Sequence, residues 1–305
     1  MSNIKRILLI GSSGQVSWEL LRCVQPLGEV ISASRTPSKL LQSQIVDLAD
    51  PDSIRHVIRE VKPAIVLNAA AYTAVDKAEE EPELAYKVNG TAPGILAEEC
   101  LRLKALLIHY STDYVFDGNQ TQPYTELDTV NPHSVYGASK LAGEQAIANQ
   151  GGRYLILRTA WVYGLRGKNF LLTIQRLAST RSELKIVDDQ IGAPTWSRMI
   201  AQATAHIIAQ LYSPLYQLDI EELSGIYHLT CAGQTSWYEF AKAIIAESEK
   251  QPRVLPIPSR DYPTPASRPA HSVLSNKKLA KTFGVTLPVW NKALKLCLND
   301  RLVPF

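Results

Sequence analysis

In the stretch SVYGASKLAGEQ, Tyr136 stands four residues ahead of Lys140 at the opening of an Ala-rich helical pattern. Residues four apart share one helix face, so phenol and ammonium could converge on a single ligand. Such a pair suits delivery of a proton to an oxygen that gains negative charge. A phenol is a poor acid at neutral pH, with an ordinary pKa of about 10, and a nearby ammonium lowers it. Ser111 and Thr112 close the apolar run ALLIHYST, and either hydroxyl could orient the same oxygen. The plainer alternative is a packed Tyr beside a solvated Lys.

A second group of residues suits a dinucleotide. LLIGSSGQVSWEL places Gly11 and Gly14 between an apolar run and a helical stretch. Gly11 permits a tight turn, and Gly14 lets a pyrophosphate approach the backbone at a helix N-terminus. The spacing is G-x-x-G, and Ser17 stands where a third Gly often allows close helix–strand packing. The next apolar run, EVISAS, is followed by Arg35 and ends in Ser34 rather than in an acidic residue. A carboxylate there would bind a free ribose 2′-hydroxyl, whereas Arg and a hydroxyl suit a 2′-phosphate. This favours NADPH, with NADH still open, and a solvated Arg is the competing reading. Asp47 could accept from an adenine amino group, with Leu48 against the ring.

These side chains need a scaffold. RILLIG, EVISAS, AIVLNAAA, ALLIHYST and YLILRTAWVYG read as five apolar strands, with amphipathic stretches between them. PELAYKVNGTAPGILAEECLRLK reads as one long helix kinked near Pro93, and Ser134 to Gln150 as another. Alternation of this kind predicts an α/β fold with a parallel sheet covered on both faces. Right-handed crossovers make it a Rossmann-type doubly wound sheet, whose strand C-termini bind ligands. After Gly164 the rhythm breaks into a helix (NFLLTIQRLAST), a strand (ELKIV), a helix from about Pro194 and a late strand (GIYHLT). The Pro-rich run from Gln251 to Ala270 is expected to be irregular. The expected division is a dinucleotide domain over 1–160 plus about 195–231, with a smaller mixed α/β substrate domain from 161–194 and 232–305.

Composition narrows the function. Of 305 residues, 46% are hydrophobic and 20% charged, and the net charge of +3 makes no electrostatic case for a nucleic-acid partner. The four Cys are far apart with no CxxC, and the six His show no ligand spacing, so neither a disulfide framework nor a metal site is expected. The apolar runs are too short for a signal segment or a membrane span. A cytoplasmic protein is expected.

Gly11-x-x-Gly14, NAAAYT, STDYVF and Tyr136-x-x-x-Lys140 together resemble the extended short-chain dehydrogenase/reductase family. The strings GQVSWEL, NAAAYTAVDKAEEEPELAYKVN, HYSTDYVFDG, VYGASKLAGEQA, RTAWVYG, DDQIGAPT and YPTPASRP run in order along almost the whole chain. They resemble the branch that reduces 4-keto nucleotide sugars. The resemblance implies NADPH-dependent reduction of dTDP-4-dehydro-L-rhamnose, with Tyr136 as general acid and Lys140 as the partner that lowers its pKa. Thr112 would polarise the keto oxygen. Gly14, Gln15 and Val16 would meet the cofactor pyrophosphate, Asp47 and Leu48 the adenine, and Ala71, Tyr72 and Thr73 the cofactor beyond the third strand. Asp113 and Trp161 would contact the sugar, and the segment around Tyr262 to Arg268 would close over the nucleotide.

Some relatives form a metal-linked dimer through acidic groups. Glu19 is kept here, but Arg198 stands where another acid would be, so no metal is expected and a homodimer stays open. The rival functions are a sugar-nucleotide dehydratase or epimerase, and an NADP-binding regulatory subunit. Thr112-Asp113-Tyr114 lacks the Glu that dehydratase relatives carry after the Asp. Apart from the resemblance, Trp161 reads as core. His109 reads as a satisfied core histidine, and the acidic run Asp76, Glu79, Glu80 and Glu81 as a solvated helix entry.

Overall fold

The computed structural model describes residues 5–11, 13–36, 43–216 and 218–300. The chain opens with β1 (Arg6–Ile10), α1 (Gln15–Cys23), β2 (Glu29–Ser34) and a short β3 (Ser43–Ile45). Asp50 accepts the Asp52 N–H and caps α2 (Pro51–Val61), whose Pro51 needs no intrahelical donor at that place. Then come β4 (Ile65–Asn68), α3 (Val75–Ala78), α4 (Pro82–Tyr86) and α5 (Ala92–Leu103). Next are β5 (Leu106–Thr112), α6 (Val135–Gln150), β6 (Tyr154–Thr159), β7 (Val162–Tyr163), α7 (Phe170–Thr180) and β8 (Glu183–Val187). They are followed by β9 (Ile191–Gly192), β10 (Thr195–Trp196), α8 (Ser197–Tyr212), α9 (Ile220–Leu223) and β11 (Gly225–His228). The last are β12 (Thr235–Ser236), α10 (Trp237–Ala246), β13 (Arg253–Ile257), α11 (Lys277–Phe283) and α12 (Trp290–Asn299).

Seven strands form one sheet in the order β11-β6-β5-β4-β1-β2-β3, and every pairing in it is parallel. This is the doubly wound Rossmann-type sheet expected. One face packs Leu9, Leu67 and Leu157 against α8 and α11 through Ile200, Ile207 and Phe283. The other packs Leu8, Val66 and Ile156 against α2 and α5 through Ile54, Val57 and Leu96. A separate apolar cluster joins α7, α10 and α12 through Ile174, Phe240 and Leu294. Among the described residues no helix is long and apolar enough to cross a membrane.

Several elements differ from the sequence expectation. The three-residue β3 is an edge strand that extends the sheet by one. The long helix is two helices joined by a π turn at Lys87–Thr91. The break lies at that turn, because Pro93 sits in the first turn of α5, where a missing N–H costs nothing. The fifth strand stops at Thr159. Trp161 then takes a left-handed φ of 46°, and β7 pairs with β10 away from the main sheet. Helix α8 starts at Ser197, after β10, rather than near Pro194. The Pro-rich run contains β13, which pairs with β8, so Pro256 is tolerated on a strand with one neighbour.

Helix α6 carries Tyr136 and Lys140, and a buried ion pair docks it on the sheet. Arg158 of β6 donates to Glu144 of α6 through Nε at 2.9 Å and Nη2 at 2.6 Å. Both side chains are 2% exposed. Arg158→Leu would leave the Glu144 carboxylate buried and unpaired, and is expected to cost about 3–5 kcal/mol. The double variant Arg158→Leu with Glu144→Leu should recover most of that loss, as read by chemical denaturation.

Candidate active site

The turn after β1 is built for close approach. Gly11 has a φ of 97°, and a Cβ there would lie 2.9 Å from Ala70. Gly14 is the N-cap of α1 and supplies no side-chain acceptor, so the first N–H groups of that helix face outward without a cap. Val16 packs on the core, and the fully buried Ser17 fills the close-packing position. Gln15 ties α1 to a distant stretch of chain: its amide donates to Val162 O at 3.1 Å and accepts from Asn169 at 3.2 Å. Ser34 ends β2 and donates to Thr36 O at 2.6 Å, with Arg35 exposed beside it. Asp47 is exposed and accepts the Ala49 N–H at 2.9 Å, while Leu48 is buried in the core.

Ala71, Tyr72 and Thr73 follow β4. Their loop is clamped by a residue that the sequence reading passed over. Asn89, buried in the π turn, accepts the Tyr72 N–H at 2.8 Å and donates to Tyr72 O and to Ser139 Oγ, each at 3.0 Å. Ser139 in turn donates to Tyr136 O at 2.8 Å. One amide therefore joins the loop to the helix of the Tyr–Lys pair. An Asn inside a helical pattern, where it is a poor helix former, was the available signal.

Of the acidic run, Glu80 is exposed, whereas Asp76, Glu79 and Glu81 are bound rather than solvated. Asp76 accepts from Arg268 at 3.1 and 2.8 Å and from the Ala266 N–H at 3.2 Å. Glu79 accepts the Val135 N–H at 2.8 Å, and Glu81 accepts from the Tyr72 phenol at 2.7 Å. These carboxylates fasten the start of α6 and the Pro-rich segment to the end of β4. The Arg268 guanidinium holds Asp76 below the ordinary carboxylate range.

At the C-terminal end of β5, Thr112 is buried, and its hydroxyl lies near enough to the Tyr136 phenol to favour the ionised form of that phenol. It also accepts the Tyr114 N–H at 3.2 Å and donates to Asp113 Oδ1 at 3.1 Å. The Tyr114 ring meets Tyr136 edge-on at 5.5 Å. Burial pushes the Tyr136 pKa up to about 12, opposed by Thr112. Burial likewise lifts Asp113 to about 6, with Ser272 and Thr112 bonding it, and its Oδ2 has no partner among the described residues.

Lys140 points its ammonium at the sheet. Its Nζ donates to Tyr110 O at 2.6 Å and lies 3.1 Å from His109 Nε2, both on β5. Burial pulls its pKa down to about 8, opposed by Glu144. A buried lysine takes the polar partners that the sheet offers.

Trp161, half-buried, stacks on Trp237 with ring centroids 3.5 Å apart and planes 5° from parallel, beside Gly192. Arg198 pairs with Glu19 at 3.0 Å and with Asp300 at 2.7 Å within the same chain. Among the described residues no group of three or more His, Cys, Asp or Glu is placed to hold a metal ion.

With this geometry in place, comparison with known proteins gives a match of residues 5–303 to the RmlD substrate binding domain. The chain belongs to the RmlD family. It is similar to the dTDP-4-dehydrorhamnose reductase of Burkholderia thailandensis, 48% identical with 97% of this chain and 99% of the relative covered. The enzyme of the same name from Escherichia coli is 41% identical, with 96% and 97% covered. Among solved structures, dTDP-4-dehydrorhamnose reductase from Bacillus anthracis in complex with NADP aligns with a TM-score of 0.88 at 32% identity, over 97% of this chain and 99% of that one.

In this RmlD-family fold, the lysine should be visible in stability. Its folded pKa of about 8 lies below the ordinary lysine value of 10.5, so the native state holds fewer protons between the two. Native stability therefore gains about 3 kcal/mol as pH rises through that window. Lys140→Met lacks this gain, so the stability of the variant relative to the parent is expected to fall by that amount from pH near 7 to pH near 10.5, measured by urea unfolding.

Proposed function

We propose that this chain is an NADPH-dependent reductase that converts the 4-keto group of dTDP-4-dehydro-L-rhamnose into the hydroxyl of dTDP-L-rhamnose. The observation that carries the reading is the gathering of the buried Thr112 hydroxyl and Tyr136 phenol at a strand C-terminus of a doubly wound sheet. The residues fit the dinucleotide. A side chain at Gly11 would collide with Ala70, α1 opens without a side-chain cap, and Ser34 ends β2 with Arg35 next to it. Gln15 and Val16 would hold the pyrophosphate through backbone N–H groups, and Gly11 and Gly14, whose own N–H groups go to Ala33 O and Gly11 O, would let it come close. Arg35 and Ser34 would meet a 2′-phosphate, Asp47 and Leu48 would flank the adenine, and Ala71 to Thr73 would line the path beyond.

When bound, NADPH supplies a hydride to the ketone carbon. Tyr136 keeps its proton at neutral pH and gives it up only as the oxygen becomes an alkoxide, a far stronger base than a phenolate. Thr112 donates a second hydrogen bond to that oxygen and fixes its direction. Lys140 brings positive charge behind the phenol and leaves one N–H for a ribose hydroxyl. Asp113 Oδ2, buried and without a partner, suits a sugar hydroxyl. Trp161, stacked on Trp237 and pressed by Gly192, would meet the sugar through its ring edge, and the Asp76–Arg268 tie sets the segment that would cover the nucleotide.

The same reading divides the chain into a dinucleotide unit, 1–160 with about 195–231, and a substrate unit, 161–194 with 232–305. A cytoplasmic location accords with cysteines that form no disulfide among the described residues.

Tyr136→Phe is expected to lower kcat at least ~100-fold while NADPH still binds. With deuterated NADPH the parent should place the label on carbon 4 of the sugar. Unlabelled product, or full activity without the phenol, would contradict the reading. Arg35→Asp is expected to move the kcat/KM preference about tenfold or more from NADPH toward NADH; unchanged selectivity would remove Arg35 from the cofactor site.

A further inference from the structure

Behind Lys140 the sheet carries a buried polar chain that the reaction scheme does not use. Lys140 Nζ lies 3.1 Å from His109 Nε2, and His109 Nδ1 lies 3.0 Å from the side-chain nitrogen of Asn68 on β4. Each of the three residues is 1% exposed. Burial and the neighbouring ammonium hold the His109 pKa well below the ordinary value, so the ring is neutral. A neutral imidazole has one N–H and one bare nitrogen. The nitrogen that meets an ammonium must be the bare one, which places the hydrogen on Nδ1. That N–H needs an acceptor, and Asn68 is the side chain in reach. The Asn68 oxygen has no partner while its nitrogen faces the ring. Turning the carboxamide over, a change between two nearly identical shapes, presents the oxygen to Nδ1–H.

We propose that Asn68 and His109 are positioning residues for Lys140: Asn68 Oδ1 accepts from His109 Nδ1–H and sets the tautomer, and His109 Nε2 accepts from the Lys140 ammonium. With Tyr110 O as the second acceptor, two N–H groups of Lys140 are directed into the sheet and one is left for the ligand side. The dyad favours the charged lysine against the cost of burial. This deepens the reductase reading and rests on it for its catalytic consequence.

Other charges around α6 are accounted for. Glu144 on the same helix also favours the charged lysine, and Arg158 of β6 neutralises it in turn. Asp113 and Tyr114, after β5, act on Tyr136. From α3, Glu79 is taken by the Val135 N–H; from the π turn, the neutral Asn89 is taken by Tyr72 and Ser139; from α5, Glu99 is paired with Arg59 of α2.

The test compares pH profiles of kcat/KM for His109→Leu, which removes the acceptor, and His109→Gln, which can return one through its side-chain oxygen. NADPH binding and thermal unfolding are measured alongside. In His109→Leu the alkaline limb is expected to move about one pH unit toward acid, so that the loss near pH 9 exceeds that near pH 6.5 by roughly tenfold. His109→Gln should bring the limb back. A parental profile in His109→Leu, or an equal loss at every pH in both variants, would overturn the role. Independently of activity, NMR of ¹⁵N-histidine-labelled parent, assigned by loss of a signal in His109→Gln, should show hydrogen on Nδ1 and a bare Nε2. Hydrogen on Nε2 would overturn the dyad even in an active reductase. The expected tautomer in a protein that does not reduce the ketone would sustain the dyad and defeat the reductase reading instead.

Discussion

An ammonium group cannot rest between a helix and a sheet without polar partners, and most of this site follows from that constraint. Lys140 is 1% exposed, and its partners are a main-chain carbonyl and an imidazole of β5. Satisfying it fixes the rotation and height of α6 on the sheet. Tyr136, one turn earlier on the same face, is thereby delivered to the end of β5, where Thr112 meets it. The Glu144–Arg158 pair, one turn later, repeats the device with a full charge pair. Three successive turns of one helix thus carry polar contacts beside the apolar packing of Leu141 and Ile147, which allows direction as well as adhesion.

The second constraint is the joining of segments far apart in sequence. Gln15 at the start of α1 bonds to Val162 O and Asn169. Asp76 after β4 holds Arg268 and the Ala266 N–H of the Pro-rich segment. Both ties leave from loops at the C-terminal ends of sheet strands, where a bound dinucleotide would lie. Cofactor and substrate recognition therefore share a frame, and a change at either tie would be felt in both.

Local patterns carried much of this into the sequence. Gly11 and Gly14 were legible because a tight turn into a helix needs small residues at close spacing, and Thr112 because it ends an apolar strand. The Tyr136–Lys140 face was legible because helix periodicity makes it local, and Ser134 caps α6 where the helix was expected to begin. The partners of Lys140 were not legible. His109 is 31 residues away from it and Asn68 is 41 residues from His109, so only the parallel register of β4 and β5 brings them together. The same holds for Asn89, Asp76 and Arg268. Helix spacing gives the face of the Lys140 side chain but not the acceptors that burial supplies. The edge strand β3 and the left-handed Trp161 escaped because three residues, or one backbone angle, leave no period to read.

A crystal structure of the protein with NADP⁺ and dTDP-L-rhamnose tests the convergence at this strand end most directly. The sugar O4 is expected within about 2.6–3.2 Å of both the Tyr136 phenol and the Thr112 hydroxyl, with the nicotinamide ring over the sugar carbon that bears it. A sugar whose O4 lies beyond reach of both hydroxyls, or a nicotinamide turned away from Tyr136, would contradict it.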